Sequence, residues 1–86
     1  MIPYSRQDIT DDDISEVKKI LHSDFLTQGP TVPKFEQLVA NYCGAKHAVA
    51  VNSATSALHI ACLALGLGSG DLLWTSPNTF VASANC

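Results

Sequence analysis

The chain has 86 residues, 47% of them hydrophobic and 15% charged, with a formal net charge of -3. That length holds one domain at most, burying about 60–65% of its unfolded surface, and the apolar fraction excludes disorder. Five basic residues against eight acidic ones leave no footprint for nucleic acid or an anionic membrane, and no apolar run approaches the ~20 residues that span a bilayer.

Ile2-Pro3-Tyr4-Ser5 reads as an extended arm, and Met1 to Asp13 is polar and acidic, unlike a signal peptide. Thr10 is the expected N-cap of a helix over residues 11–22. Asp11, Asp12 and Asp13 fill its first turn, where the helix dipole favours carboxylates; capping explains the triplet better than a metal site. Ile14, Val17, Ile20 and Leu21 recur at three- and four-residue spacing and make that helix amphipathic. Gly29, Pro30 and Pro33 mark residues 23–33 as a loop. Thr31 is then read as the cap of a second helix, with Phe35, Leu38, Val39 and Tyr42 on one face and Gly44 as its stop.

From Ala45 the pattern changes. His47-Ala48-Val49-Ala50-Val51 has the look of a buried parallel strand, and Ala57 to Leu65 is strongly helical and mostly apolar. Gly66, Gly68 and Gly70 break that helix. Asp71-Leu72-Leu73-Trp74-Thr75 reads as a second strand with Trp74 in the core, Ser76-Pro77-Asn78 as a turn, and Thr79 as the N-cap of a helix from Phe80. Strand, helix, strand, helix predicts an α/β fold with a right-handed βαβ crossover. Ala84-Asn85-Cys86 continues a helix-compatible run with no stop signal, so a longer enzyme is expected. The low charged fraction, against a typical ~25%, agrees, predicting surface covered by more protein.

The chemistry concentrates at Val51–Ser56. A parallel strand delivers its C-terminal end to the sheet edge where α/β proteins bind ligands. The following helix aims its free N–H groups at the same edge. Asn52, Ser53, Thr55 and Ser56 are small and polar, and Ala54 lets the backbone come close. Such a turn either cradles a phosphate without a lysine or is simply capped by Ser53 or Thr55, and both readings stand. Gly66-Leu67-Gly68-Ser69-Gly70 follows a helix and precedes a strand, the reverse of a dinucleotide loop, and is a connector. His22, His47 and His59 show no metal-ligand pairing, and no carboxylate pair is placed for acid–base work. Cys43, Cys62 and Cys86 are too few and too dispersed for a disulfide framework or a zinc site, and read as buried or free thiols in a reducing cytoplasm.

Ile2-Pro3-Tyr4, Leu26-Thr27-Gln28-Gly29-Pro30, Phe35-Glu36, Tyr42 to Val51, Asn52-Ser53-Ala54-Thr55-Ser56-Ala57-Leu58-His59 and Ser76 to Asn85 follow one another in an order that resembles the N-terminal part of the DegT/DnrJ/EryC1/StrS nucleotide-sugar aminotransferases. The resemblance covers essentially the whole chain. It implies a pyridoxal 5'-phosphate enzyme of the aspartate-aminotransferase-like fold (fold type I), whose large domain is a three-layer α/β/α sandwich. Residues 1–86 would then supply its N-terminal arm, helices and first βαβ unit.

Carried over by motif, Ala54 and Thr55 match the positions that hold the cofactor phosphate, and Phe80 matches the aromatic stacked on the pyridine ring. Tyr4, Asp24, Phe25, Leu26, Thr27 and again Ala54 match positions lining the sugar-nucleotide site. Leu26 to Pro30 with Asn52 to Leu58 most resembles members that aminate a UDP-linked 4-keto-6-deoxy sugar with L-glutamate on the route to pseudaminic acid. The resemblance further implies a cytoplasmic homodimer. It also puts the family's cofactor lysine and the aspartate facing the pyridine nitrogen beyond residue 86, since Lys18, Lys19, Lys34 and Lys46 do not match the catalytic motif. No catalytic residue and no metal ligand is therefore expected within these residues. Two other readings stand beside this one. Perosamine-type, 3-amino-sugar and arabinose-type aminotransferases share the scaffold, and a small non-catalytic α/β module would explain the cradle without a lysine.

Overall fold

The computed structural model describes residues 2–86. It contains helices α1 (Asp11–Leu21), α2 (Thr31–Cys43), α3 (Ala54–Ala64) and α4 (Ala82–Asn85), and no strand among the described residues. The chain divides into two compact units, one running to Ala48 and the other covering Val49–Cys86.

In the first unit, α1 starts as its sequence dictates. Thr10 and Asp13 form a capping box: the Asp13 carboxylate accepts from the Thr10 N–H at 2.8 Å, and the Thr10 hydroxyl accepts from the Asp13 N–H at 3.3 Å. The Thr10 N–H and, to a lesser degree, the Thr10 hydroxyl, which also donates to the Asp13 carboxylate at 2.8 Å, hold that carboxyl below its ordinary pKa. Lys19 pairs with Glu16 on the exposed side. The chain then turns through Ser23, whose hydroxyl donates to the Ile20 carbonyl at 2.7 Å.

Gln28 adopts a left-handed φ of 52°. At Gly29 the backbone approaches Phe25 so closely that an added Cβ would lie 2.7 Å from the Phe25 Cβ. The expected cap Thr31 is instead the first residue of α2, and Pro30 occupies the N-cap without a side-chain hydrogen bond. Pro33 falls in the first helical turn, where no N–H is needed. Gly44 ends the helix at φ 65°, with its N–H on the Asn41 carbonyl and the Ala45 N–H on the Ala40 carbonyl, the Schellman arrangement.

The predicted strands 47–51, at the boundary of the two units, and 71–75, in the second, are not strands, and the expected α/β sheet is not formed by these residues. A parallel strand is stable within a wider sheet covered on both faces, and the described residues provide neither. Trp74, expected in a core, is 89% exposed for the same reason. The helix α3 ends in a second Schellman arrangement, Gly66 N–H to Leu63 carbonyl and Leu67 N–H to Cys62 carbonyl, with Gly66 at φ 70°. Residues 68–71 form the connector as a tight turn, closed by the Asp71 carboxylate on the Gly68 N–H at 2.8 Å. Thr79 does not cap the last helix. It faces Ser83 hydroxyl to hydroxyl at 3.3 Å, and α4 begins two residues later than expected, at Ala82.

Only Ala40 and Ala82 are buried among the hydrophobic residues described. The apolar stripes of α1 and α2 are present as read, but Ile14, Val17, Leu21, Phe35 and Leu38 remain exposed. An amphipathic stripe buries itself only against a partner, and α3 with α4 is the helix pair in contact among the described residues.

Candidate functional site

The site is built at the start of α3. Ser53, in extended conformation, is the N-cap, and its hydroxyl accepts from the Ser56 N–H at 3.1 Å. The Ser56 hydroxyl in turn donates to the Asn52 side-chain carbonyl at 2.9 Å. The cap is therefore Ser53, and Thr55 is released from that duty. The first N–H groups of a helix have no acceptor within it. With the cap spent on Ser56, those of Ala54 and Thr55 are available to a ligand.

A pocket of about 330 Å³ lies beside this turn, lined by Thr55, His59, Phe80, Val81, Ala82, Asn85 and Cys86. Thr55 and Phe80, 25 positions apart in the chain, thus share one wall system, while Ala54 precedes Thr55 in the same turn without lining the pocket. Phe80 is 71% exposed, so its ring is free to cover a flat ligand. Between Val49 and Cys86 there is no Lys or Arg and one acid, Asp71. Within this unit, the donors available to an anion are backbone N–H groups, hydroxyls, the helix dipole and the His59 ring, with no Lys or Arg among them.

His59, whose sequence context offers no metal-ligand pairing, lies one turn beyond Thr55 at i+4 spacing and lines the same pocket. Helical periodicity carries that signal. Asn85 and Cys86 reach the pocket only through the approach of α4 to α3, which no local pattern encodes.

The positions expected at the sugar-nucleotide site belong, apart from Ala54, to the first unit. Tyr4 is fully exposed on the extended arm, and Asp24, Phe25, Leu26 and Thr27 are exposed in the turn after α1. Among the described residues no three His, Cys, Asp or Glu side chains gather as a metal site, and no helix is long and apolar enough to cross a membrane.

Residues 7–86 match the DegT/DnrJ/EryC1/StrS aminotransferase family, and the chain belongs to it. Aminotransferases of this family are in general pyridoxal-phosphate-dependent. Among individual relatives, the chain is 50% identical over 84 residues to the spore coat polysaccharide biosynthesis protein SpsC of Bacillus subtilis, covering 98% of this chain and 22% of that protein. It is 48% identical over 85 residues to a UDP-4-amino-4,6-dideoxy-N-acetyl-beta-L-altrosamine transaminase of Campylobacter jejuni, and 47% identical to its counterpart in a second strain, covering 99% of this chain and 22% of each. The chain thus spans 22% of the length of these relatives. No solved structure gives a significant match.

Proposed function

We propose that these residues form the phosphate-binding and ring-stacking part of a pyridoxal 5'-phosphate aminotransferase that aminates C4 of a UDP-linked 4-keto-6-deoxy sugar, with L-glutamate as donor. The observation that carries the reading is the joint lining of one pocket by Thr55 and Phe80 in a stretch without Lys or Arg. The residues present fit the group. The Ala54 and Thr55 N–H groups and the Thr55 hydroxyl supply donors for the phosphate, the small Ala54 leaves the backbone accessible, and the exposed Phe80 ring supplies a stacking face. When bound, pyridoxal phosphate supplies the electron sink for amino transfer. The chain's own residues anchor and orient it.

Tyr4, Asp24, Phe25, Leu26, Thr27 and Ala54 contribute to the sugar-nucleotide side of the site. In the whole protein, residues 47–51 and 71–75 join the three-layer α/β/α sheet. The large apolar side chains left exposed here, Leu72 and Trp74 among them, support such covering. The protein works as a cytoplasmic homodimer on a nucleotide sugar of the pseudaminic acid route. The 48% identity to an enzyme named for the altrosamine product supports that substrate.

The 50% identity to a protein named for spore coat polysaccharide biosynthesis favours a second reading, amination of a different nucleotide sugar. One experiment separates the two. The full-length protein carrying this segment is incubated with L-glutamate and either the UDP-linked 4-keto-6-deoxy-N-acetylhexosamine or a panel of other 4-keto and 3-keto nucleotide sugars, and 2-oxoglutarate release is followed. Turnover of the first substrate is expected. Turnover confined to another member of the panel supports the second reading, and no 2-oxoglutarate from any of them refutes both.

A further inference from the structure

We propose that Cys62 and Cys86 are a reversible disulfide site that ties α3 to the end of α4 at the edge of the pocket. Their sulfurs lie 3.2 Å apart, both half-buried, although 24 residues separate them in sequence. The fold, not proximity along the chain, brings them together. Thr55, His59 and Cys62 stand at i, i+4 and i+7 and so share one face of α3, and α4 packs against that helix. The C-cap of α4 is Cys86, which itself lines the pocket and whose thiol also donates to the Ser83 carbonyl at 3.8 Å. A disulfide needs its sulfurs at about 2.0 Å, so closure draws them about 1.2 Å nearer than the 3.2 Å at which they stand. Cys43, by contrast, is exposed and lies in the other unit.

The oxidant is a low-molecular-weight disulfide of the glutathione class. The thiolate of one cysteine attacks it, breaking its S–S bond and leaving a mixed disulfide on the protein and one glutathione, which takes up the first proton. The second cysteine then attacks the protein-bound sulfur, forms the Cys62–Cys86 bond and expels the second glutathione, which takes the second proton. Two protein thiols are oxidised and one glutathione disulfide is reduced to two thiols, so atoms and electrons balance. The hydrogen bond with Cys86, and desolvation to a lesser degree, hold the Cys62 thiol above its ordinary pKa. Exchange through its thiolate therefore quickens as pH rises. In a reducing compartment such a bond is transient. While it lasts it pins the α4 side of the pocket to the α3 side that carries Thr55.

The test does not depend on the cofactor reading. The full-length protein is equilibrated in glutathione redox buffers, native and in concentrated urea, acid-quenched, alkylated and digested with trypsin. No Lys or Arg lies between Lys46 and Cys86, so Cys62 and Cys86 fall on one peptide starting at His47 and Cys43 falls on another. The expected result is a peptide two hydrogens lighter with neither Cys62 nor Cys86 alkylated. Its equilibrium constant should be at least about tenfold larger in the native protein than in urea. Cys62→Ser and Cys86→Ser should each leave the other cysteine as a single glutathione adduct. Separate adducts on both cysteines of the native wild-type protein, a bond to Cys43, or equal closure in urea would overturn the proposal. The comparison of wild type with itself in urea holds even if a serine variant fails to fold.

Discussion

Replacing Thr55 by Val is the sharpest probe of the pocket, because the structure separates binding from capping at this turn. Ser53 caps α3 through the Ser56 N–H, so removing the Thr55 hydroxyl leaves the cap intact. Thr and Val have similar helix propensities and similar shape, so α3 itself is undisturbed. What is lost is one hydrogen bond to a charged phosphate, about 1.5–3 kcal/mol, or about a 10- to 150-fold rise in Kd. No Lys or Arg between Val49 and Cys86 stands by to compensate. The assay is equilibrium titration of the full-length apoprotein with pyridoxal 5'-phosphate and, in parallel, with pyridoxal, which has the ring but no phosphate. Thr55→Val should weaken the first and leave the second unchanged. Equal loss for both ligands, or a Kd for pyridoxal phosphate within twofold of wild type, would show that Thr55 does not hold the phosphate.

Phe80→Ala should weaken both of those ligands, since stacking is worth about 0.5–1.5 kcal/mol beyond area burial. With Phe80 71% exposed, the far-ultraviolet circular dichroism should not change, and a loss of helix would make Phe80 structural instead. Gly29→Ala should lower thermal stability by about 1–3 kcal/mol, because its Cβ would meet the Phe25 Cβ at 2.7 Å; an unshifted melting temperature would show that the turn relaxes freely. The start of α1 should loosen in acid. The folded-state pKa of Asp13 is depressed by its hydrogen bonds to Thr10, so its contribution is present above the unfolded carboxylate pKa and lost as pH falls through the folded one. Amide exchange in the first turn of α1 should speed up over that range, and Asp13→Asn, which removes the titrating carboxyl, should abolish that dependence.

Much of the helical layout is legible in the residues themselves, because its determinants are local. Thr10 with Asp13 three positions on dictates a capping box, Gly44 supplies the left-handed residue that ends α2, and Ser53 ahead of an alanine-rich run starts α3. Each of these interactions spans five residues or fewer, so no distant partner is needed. The resemblance carried by Leu26 to Pro30 and Asn52 to Leu58 is equally local, and the family match over residues 7–86 agrees with it.

The tertiary structure decided what depends on groups remote in sequence. Strand pairing is one such thing: the β-branched run at 47–51 and the apolar run at 71–75 have strand composition, yet a ladder needs neighbours, and these residues form none. Trp74 is exposed because a strand face is buried only when something packs on it. The meeting of Thr55 with Phe80, and of Cys62 with Cys86, is the positive case. Both follow from α4 folding back on α3, a contact between elements joined by residues 65–81, whose glycines at 66 and 70 take the left-handed conformations that reverse the chain. Periodicity puts Thr55, His59 and Cys62 on one face of a helix; only the packing of α4 says what that face meets.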